Sequence, residues 1–542
     1  MNSQRPNLMG LLIISSLFGW GAWETRYWLH PDDQFIHWIL LGFTTLTSFR
    51  FLFLLLFLIP KLIYRRLIMR ATDRAGSADW ANKKEIRKAG LYKPDGVVAG
   101  MDDNKPVWVN IESSGLVLSP AGAGKTSCFS IPVLCKEAAS MLVPDIKCNL
   151  GVMTAKLRHE KLGHETVFVN PAGHHSEILG KSARYNPLQI LIDDWDTPAY
   201  RSQLLTDAHA IARQLSPDHQ ASNQDPFWRN GTRKFLVFSF LYLVIIGGYP
   251  TLSNALGLLS DSKALERALA EAAATDHLNG DLARRAKDIL TKFEIGDPKQ
   301  IESFREGAVQ ALEIYAPSGE LAEATSYCDF RFSDMRKKKM TIYLMADPTR
   351  MGVFAPWVAL LSWCALIELL RTQPSRKVVF LLEEATNIPI QDLPKNLTLL
   401  REFKIVTWIV MQELEQWVQC YGPQSLEPLL SQTQAKIIMG SDSLKVCQMI
   451  SDLLGQSTIK TKSYNLGRSI FDDVTVSLQD SARNLKTADE VRRTEGVILI
   501  LRKFKPLLLR KIGYNEIKPW SKWVGINPLF GTPYKGKTRL RL

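Results

Sequence analysis

The stretch that decides the fold is Gly-Leu-Val-Leu-Ser-Pro-Ala-Gly-Ala-Gly-Lys-Thr, residues 115–126. Its first four residues form an apolar run that is typical of a short buried strand, and an apolar helix is predicted to follow Thr126. A loop of small residues between a strand and a helix lets successive backbone N–H groups converge on phosphate oxygens. The N-terminus of the helix adds further donors and a favourable dipole. The pattern therefore predicts a phosphate-binding loop.

Two side chains of this loop suit a bound nucleoside triphosphate. Lys125 supplies a positive charge to the terminal phosphates, and the hydroxyl of Thr126 is a ligand for Mg²⁺. ATP and Mg²⁺ are therefore the predicted cofactors. The predicted cradle consists of Pro120, Ala121, Gly122, Ala123, Gly124, Lys125 and Thr126. The strict phosphate-binding-loop motif begins with Gly, whereas this loop begins with Ser119. The alternative interpretation of the whole loop is an ordinary glycine turn between a strand and a helix.

A second run of buried-strand type, residues 377–382, ends in the paired carboxylates Glu383 and Glu384. Hydrolysis of a bound triphosphate needs a metal ligand and a group that polarises the attacking water. We therefore predict that Glu383 holds the metal and that Glu384 is the catalytic base. The alternative interpretation of the pair is the solvated first turn of a helix.

Two further polar residues flank a third apolar run, residues 405–411. Gln412 ends this run, where its amide is predicted to sense the terminal phosphate or to position water; an ordinary loop glutamine is the alternative. Arg401 precedes the run and is a candidate arginine finger for the nucleotide of a neighbouring subunit. A surface arginine on a helix explains Arg401 equally well.

These features, in this order, resemble the type IV coupling proteins, the TraG/TraD-like branch of the RecA-like hexameric motors. The resemblance covers nearly the whole chain. Besides the loop, the acidic pair and Gln412, it includes residues 143–147, 170–171, 185–188, 227–228, 451–455 and 483–485. The chain departs from the family pattern at two positions besides Ser119: the family usually has Asp in place of Glu383 and Gly in place of Leu400.

Strand and helix patterns alternate before residue 190 and again after residue 326, which predicts a parallel sheet with helices on both faces. Between these regions apolar residues recur at helical spacing and strand signals are scarce. The predicted fold class is α/β: a RecA-like P-loop nucleotide-binding domain with an inserted all-α domain and an N-terminal two-helix transmembrane anchor. The predicted domains are the anchor (1–70), the discontinuous nucleotide-binding domain (71–190 and 326–542) and the all-α domain (191–325).

The anchor prediction depends on two apolar stretches, residues 8–23 and 35–59. A helix needs about 20 apolar residues to cross a bilayer. Basic residues cluster after the second stretch, and such residues stay on the cytoplasmic side. The sequence therefore predicts a multi-pass protein of the bacterial inner membrane, with membrane lipid as a partner and the bulk of the chain in the cytoplasm.

The composition of the 542 residues agrees with anionic partners. Lys and Arg number 67 against 54 for Asp and Glu, so the net charge is +13. This balance favours nucleic acid or a lipid surface, although solubility and membrane orientation explain it equally well. The seven cysteines contain no Cys-x-x-Cys pair, which argues against a zinc site and for a reduced protein.

The resemblance implies a homohexameric coupling ATPase. It would recruit DNA, single-stranded and bound without sequence preference, together with its relaxase, or protein effectors, and drive them into a type IV secretion channel. The basic run 336–339 is a candidate for lining the channel, with a solvated approach to the next strand as the alternative. Two other functions stay open: a nucleotide-binding membrane receptor that recruits cargo with little hydrolysis, and a chromosome-segregation DNA pump.

Overall fold

The computed structural model describes residues 20, 23, 34–53, 75–218, 226–465, 475–532 and 537–542. The chain divides into two compact units. The smaller unit comprises Met1–Ser77 and Gln456–Arg483, and the larger unit comprises Ala78–Gly455 and Asn484–Leu542. All the predicted nucleotide-site residues belong to the larger unit.

The described strands are β1 (Val97–Asp102), β2 (Lys105–Val109), β3 (Ser114–Leu118), β4 (Ser140–Asp145), β5 (Glu165–Val169), β6 (Met340–Met345), β7 (Val378–Glu383), β8 (Ile405–Met411), β9 (Thr433–Ile438), β10 (Gln456–Asn465), β11 (Thr475–Asn484), β12 (Val497–Leu501), β13 (Leu507–Leu509), β14 (Ile517–Lys518) and β15 (Leu540–Arg541).

The described α-helices are α1 (Gln34–Phe53), α2 (Lys83–Lys88), α3 (Ile131–Lys136), α4 (Leu150–Leu162), α5 (Ser176–Leu179), α6 (Gln189–Asp196), α7 (Leu204–Leu215), α8 (Pro226–Ile245), α9 (Leu252–Ser260), α10 (Ser262–Ala273), α11 (Asp281–Ile295), α12 (Pro298–Leu312), α13 (Glu320–Ala324), α14 (Met351–Arg371), α15 (Leu393–Asn396), α16 (Leu414–Tyr421), α17 (Leu426–Gln432), α18 (Leu444–Leu454), α19 (Ala488–Arg492) and α20 (Trp520–Trp523).

A nine-stranded sheet in the order β13-β12-β9-β3-β8-β7-β4-β6-β5 forms the centre of the larger unit. The seven strands from β9 to β5 pair in parallel. Strands β12 and β13 join the β9 edge antiparallel. The predicted α/β fold is confirmed, and the predicted parallel sheet is found except at this edge, where two antiparallel strands extend it.

Helices and further strands cover both faces of the sheet and give it two hydrophobic cores. Because successive side chains of a strand point to opposite faces, Leu116 and Leu118 belong to one core and Val117 to the other. The first core continues into the helices between β5 and β6, and the second packs the sheet against β1, β2, α3 and α4. Burial on both faces explains why β3, β7 and β8 are continuous apolar runs.

The region predicted to be all-helical contains helices α6 to α13. In residues 170–218 and 226–339 the structure contains helices and turns but no strand. The glycines of α8 and α12 allow these helices to approach closely: a Cβ on Gly307 would lie 2.4 Å from the hydroxyl of Thr232. The helices between β5 and β6 therefore form a packed insertion into the sheet topology.

The membrane prediction falls mostly outside the described residues. Of the two apolar stretches, the first is described at residues 20 and 23 only, and the second is described as helix α1 up to Phe53. Among the described residues one helix, Pro348–Arg371, is long and apolar enough to cross a membrane, but 72% of its most apolar window is buried inside the protein. This helix is the crossover between β6 and β7, and the multi-pass arrangement, which depends on residues mostly outside the described ones, stays a prediction.

The smaller unit contains helix α1 and the two-stranded sheet of β10 and β11. The backbone before Ala78 pairs with β10, where the amide of Thr458 donates to the carbonyl of Gly76 at 3.1 Å. A Cβ on Gly76 would lie 2.3 Å from the carbonyl oxygen of Gln456, so only glycine fits this contact. The sequence placed residues 456–483 in the nucleotide-binding domain, whereas the structure groups them with the N-terminal segment.

Candidate functional site

The predicted site residues lie where four neighbouring strands end. In the sheet order, β3, β8, β7 and β4 are adjacent and parallel, so their carboxyl ends meet at one edge. The loop after β3 carries Lys125, the end of β7 carries the two glutamates, and Gln412 follows β8. The loop after β4 adds Lys147, which the sequence did not assign to the site. This is the edge at which open parallel sheets bind ligands.

The backbone of the loop after β3 needs its glycines. Gly122 and Gly124 have φ angles of +75° and +91°, a region that side chains with a Cβ rarely adopt. Ser119, which replaces the first glycine of the strict motif, is fully buried and its amide donates to the carbonyl of Met411 at 3.2 Å. The loop therefore accommodates serine there, and a wide π-type turn, Thr126–Ser130, leads from it into α3.

Glu384 is the centre of the site. Its carboxylate lies 2.5 Å from the ammonium of Lys125 and 3.0 Å from that of Lys147. The amide nitrogen of Gln412 lies 3.2 and 3.3 Å from its two oxygens. The backbone of Glu384 is left-handed, with φ of +58°, a conformation that costs a non-glycine residue about 1–3 kcal/mol. The fold thus strains this residue to aim its carboxylate at both lysines.

The two glutamates differ in their protonation. Burial alone would raise the pKa of Glu384, but the hydrogen bond and charge of Lys125, with the charge of Lys147, lower it below its usual value. Glu383 is equally buried, and burial raises its pKa to about 7, with the negative charge of Asp145 acting in the same direction. The pair therefore combines a carboxylate that stays ionised with one that titrates near neutrality.

Thr126 and Glu383 form the candidate metal position. The hydroxyl of Thr126 donates to Glu383 at 2.5 Å, so these two oxygen ligands already converge. Within the described ranges, no group of three or more His, Cys, Asp or Glu side chains could hold a metal ion. Two protein oxygens suit Mg²⁺, which usually keeps several waters and takes its remaining ligands from substrate phosphates.

Asp145, at the end of β4, supports the site from one side. Its carboxylate accepts from the amides of Asn149 and Gly151, at 3.1 and 2.8 Å, and so fixes the start of α4. Burial raises the pKa of Asp145, while these amide hydrogen bonds lower it; the net shift is upward. The same loop carries Lys147, and the resemblance over residues 143–147 was the sequence signal that could have identified both residues.

Arg401 is the predicted site residue that the structure does not bring to this edge. Its guanidinium donates to Glu112 at 2.9 Å, and both side chains are largely exposed, at 64% and 71%. The basic run 336–339 is also remote, since it precedes the amino end of β6. Arg336 is buried and donates to the carbonyls of Arg376 and Phe403, so it belongs to the protein interior.

Comparisons with known proteins relate this sequence to one protein family. A family model described as Type IV secretory system Conjugative DNA transfer matches residues 79–523. Protein VirD4 of Rhizobium radiobacter is 24% identical over 506 residues, which cover 89% of this chain and 71% of that protein. Conjugal transfer protein TraG of Escherichia coli is 21% identical over 472 residues, covering 78% of this chain and 71% of TraG.

Solved structures with a similar fold include the plasmid coupling protein TrwB. In complex with the ATP analogue ADPNP, TrwB has a TM-score of 0.59 and 13% identity, and the match covers 80% of this chain and 93% of TrwB. In complex with ADP and Mg²⁺, the TM-score is 0.57, with the same identity and coverage. At this identity the structural likeness establishes a shared fold.

Proposed function

Because this chain belongs to the type IV secretory system conjugative DNA transfer family, we propose that it is the coupling ATPase of a conjugation or type IV secretion machine. It recruits DNA with its relaxase, or protein effectors, and uses ATP hydrolysis to drive them into the secretion channel. The observation that carries the ATPase proposal is the contact of Lys125 with Glu384, which joins the phosphate-binding loop to the predicted base.

The contact network suits a site that changes partners when a nucleotide binds. Lys125 is paired with Glu384 in the free protein, and the triphosphate is a stronger anionic partner for its ammonium. The loop N–H groups and Lys125 then bind the phosphates, while Lys147 and Gln412 still hold Glu384. Glu384 is ionised at neutral pH, as a base must be, because its pKa is lowered.

In hydrolysis, Glu384 accepts a proton from the attacking water as the water oxygen bonds to the γ-phosphorus. The bond from the γ-phosphorus to the bridging oxygen breaks, and ADP and phosphate are released. Bound Mg²⁺ supplies positive charge to the phosphate oxygens. Thr126 and Glu383 would hold that ion. Glutamate at this position keeps the oxygen donor that the usual aspartate would supply.

We also propose that the motor is a homohexamer in which Arg401 acts on the nucleotide of the neighbouring subunit. Two features support this role: the guanidinium is exposed, and its partner, Glu112, is an exposed carboxylate. A surface ion pair of this kind contributes at most about 1 kcal/mol, so a stronger anion can displace it. A trans arginine raises turnover by about a thousandfold or more in related chemistry.

Membrane association through the apolar stretches of the first 70 residues is part of the proposal, as is DNA binding without sequence preference. The net charge of +13 supports attraction to both nucleic acid and anionic lipid. Recovery of a relaxase-type nickase with the intact membrane protein would identify the cargo class. Recovery of protein effectors alone would redirect the proposal to protein transport.

The decisive experiment measures DNA-stimulated ATP hydrolysis by the full chain and by Glu384→Gln. We expect turnover to fall by at least about a hundredfold, since a general base contributes that much or more, while ATP binding is retained. Glu402→Gln, an exposed residue outside the site, is the matched control and should hydrolyse ATP like the original protein. Absence of turnover in the original protein, assembled with DNA, would instead favour a nucleotide-binding receptor that recruits cargo without a motor cycle.

A further inference from the structure

A lysine far along the chain contacts the phosphate-binding loop. The ammonium of Lys511, which follows β13, donates to the carbonyl of Ala123 at 3.3 Å. It also donates to the carbonyl of Met439 at 2.9 Å, just after β9. One side chain thus links three segments: the loop, the end of the strand beside β3, and the C-terminal segment.

The environment of Lys511 is unusual for a lysine. In the part of the chain that the structure describes, no carboxylate lies within ion-pair distance of its ammonium, and its side chain is partly buried. Burial lowers its pKa, although the charge of Glu495 opposes the shift. A charge removed from water without a counter-ion is costly, so the two carbonyl contacts must hold it in place.

The contact with Ala123 bears directly on how the loop binds anions. Ala123 lies between Gly122 and Gly124, two glycines with left-handed backbone, where the chain is least restricted by side chains. A carbonyl that pointed inward would repel phosphate oxygens. The hydrogen bond from Lys511 restrains the carbonyl of Ala123 and with it the peptide unit that carries the N–H group of Gly124, one of the donors of the loop.

The neighbouring residues place the same segment beside the first turn after the loop. A Cβ on Gly513 would lie 3.7 Å from the carbonyl oxygen of Ser127, at ordinary contact distance. Lys511 also lines a cleft of about 1310 Å³ together with Arg493, Arg510 and Arg539. The C-terminal segment therefore packs along the loop and along the turn that follows it.

We propose that Lys511 is a positioning residue of the nucleotide site, which fixes the phosphate-binding loop in its anion-binding conformation through the carbonyl of Ala123. This inference rests on the proposed ATPase function. Because a preformed loop binds the phosphates alike in the ground state and in the transition state, its loss raises KM and leaves kcat nearly unchanged.

The test compares the original protein with Lys511→Met, whose side chain is of similar length but has no hydrogen-bond donor. We expect the dissociation constants of ATP and of inorganic tripolyphosphate to rise by the same factor, about tenfold, the equivalent of one hydrogen bond to a charged group. KM for ATP should rise in parallel, with kcat changed by less than about twofold. Lys511→Arg, which still donates, should restore most of the affinity.

Lys505→Met is the matched control. Lys505 lies in the same C-terminal region but pairs with Glu85 at 2.8 Å, and its replacement should leave both dissociation constants unchanged. Unchanged affinity of Lys511→Met for tripolyphosphate would overturn the proposal. A loss of affinity for ATP alone would overturn it too, because it would indicate a contact with the nucleoside. If the original protein bound no ATP, the proposed function would fail as well. If the original protein binds ATP and Lys511→Met binds ATP and tripolyphosphate equally well, only this inference is overturned.

Discussion

Two clusters of buried charged residues in the larger unit differ in how many hydrogen-bond partners the protein itself supplies to their carboxylates. At the carboxyl edge of the sheet, Glu383 has one side-chain hydrogen bond in the described residues, from Thr126, and shares the interior with a second carboxylate. Within α14, Glu368 accepts from the hydroxyl of Tyr185 at 2.6 Å, from Arg331 at 3.1 Å and from the amide of Ser333 at 2.9 Å.

The difference separates a structural cluster from a functional one. The contacts of Glu368 join α14 to the segment before α6 and to the segment before β6, and Arg331 continues the network to Asp193 in α6. No ligand is needed to complete them. At the sheet edge the fold instead strains Glu384 and keeps Glu383 partly protonated, a cost that ligand binding offsets. Burial of charge alone therefore does not identify a site.

The largest effect should come from breaking the structural cluster. Glu368→Ala leaves the buried hydroxyl of Tyr185 and the amide of Ser333 without this acceptor and removes one of the two carboxylates of Arg331, so we expect the free energy of unfolding to fall by about 3–5 kcal/mol. Urea denaturation of the full chain in detergent measures this loss. Glu402→Ala, on the surface, is the control and should change stability by less than about 0.5 kcal/mol. Equal stability of the two variants would refute the assignment of Glu368 to a structural network.

A substitution in the functional cluster should change the free energy of unfolding by less, and should raise it. The pKa of Glu383 is raised from its ordinary 4.5 to about 7, so the folded protein binds this proton more tightly than the unfolded chain does. The resulting stabilisation is present in full below pH 4.5 and is lost as the pH rises towards 7, by up to about 3 kcal/mol. Glu383→Gln removes this titration, and we expect the nucleotide-free variant to be more stable than the original protein at pH 8.

Urea denaturation at pH 5 and pH 8 checks this expectation, because the difference between the two proteins should grow with pH. A stability difference between the two proteins that is the same at pH 5 and pH 8 would show that Glu383 does not titrate in this range. In the presence of Mg²⁺ and ATP the order should reverse, since only the original protein gains stability from its full set of metal ligands.

The smallest effect should come from Lys147, the half-exposed member of the functional cluster. Lys147→Met removes one of the two lysine charges that contact the carboxylate of Glu384, and we expect kcat for ATP hydrolysis to fall by about tenfold. Stability should change by less than about 1 kcal/mol, since the lysine is partly solvated. Lys156→Met, which breaks an exposed pair with Glu160, is the control for both measurements. Unchanged turnover would limit the functional cluster to Lys125, Glu384 and Gln412.

The sequence predicted the parts of the site that are encoded locally. The loop from Pro120 to Thr126, the acidic pair and Gln412 each follow an apolar run that forms a buried strand, and parallel strands bring their carboxyl ends together. The sequence did not assign Lys147 and Lys511 to the site, because their contacts depend on which strands are neighbours. Strand β4 lies beside β7, so the contact of Lys147 with Glu384 follows from the strand order, and the family resemblance over residues 143–147 was its only sequence signal. Lys511 contacts the loop and the residue after β9, and this contact leaves no local pattern.

The same reasoning explains the differences in the fold. Strand β12 is an apolar run like those of the parallel strands, and only its pairing with β9 reveals that it runs antiparallel. The basic run 336–339 suggested a charged surface, yet Arg336 is buried because two backbone carbonyls accept its hydrogen bonds. Burial of a charged residue by backbone groups has no signature in composition.

The central claim is that ATP binds where Lys125 meets Glu384. Its most direct test is calorimetric titration of the purified full chain with ATP in the presence of Mg²⁺, compared with Lys125→Ala. We predict saturable binding by the original protein and affinity reduced by at least about a hundredfold in the variant, which lacks the charge that contacts the phosphates. Equal affinity in the two proteins, or no binding by either, would contradict the account.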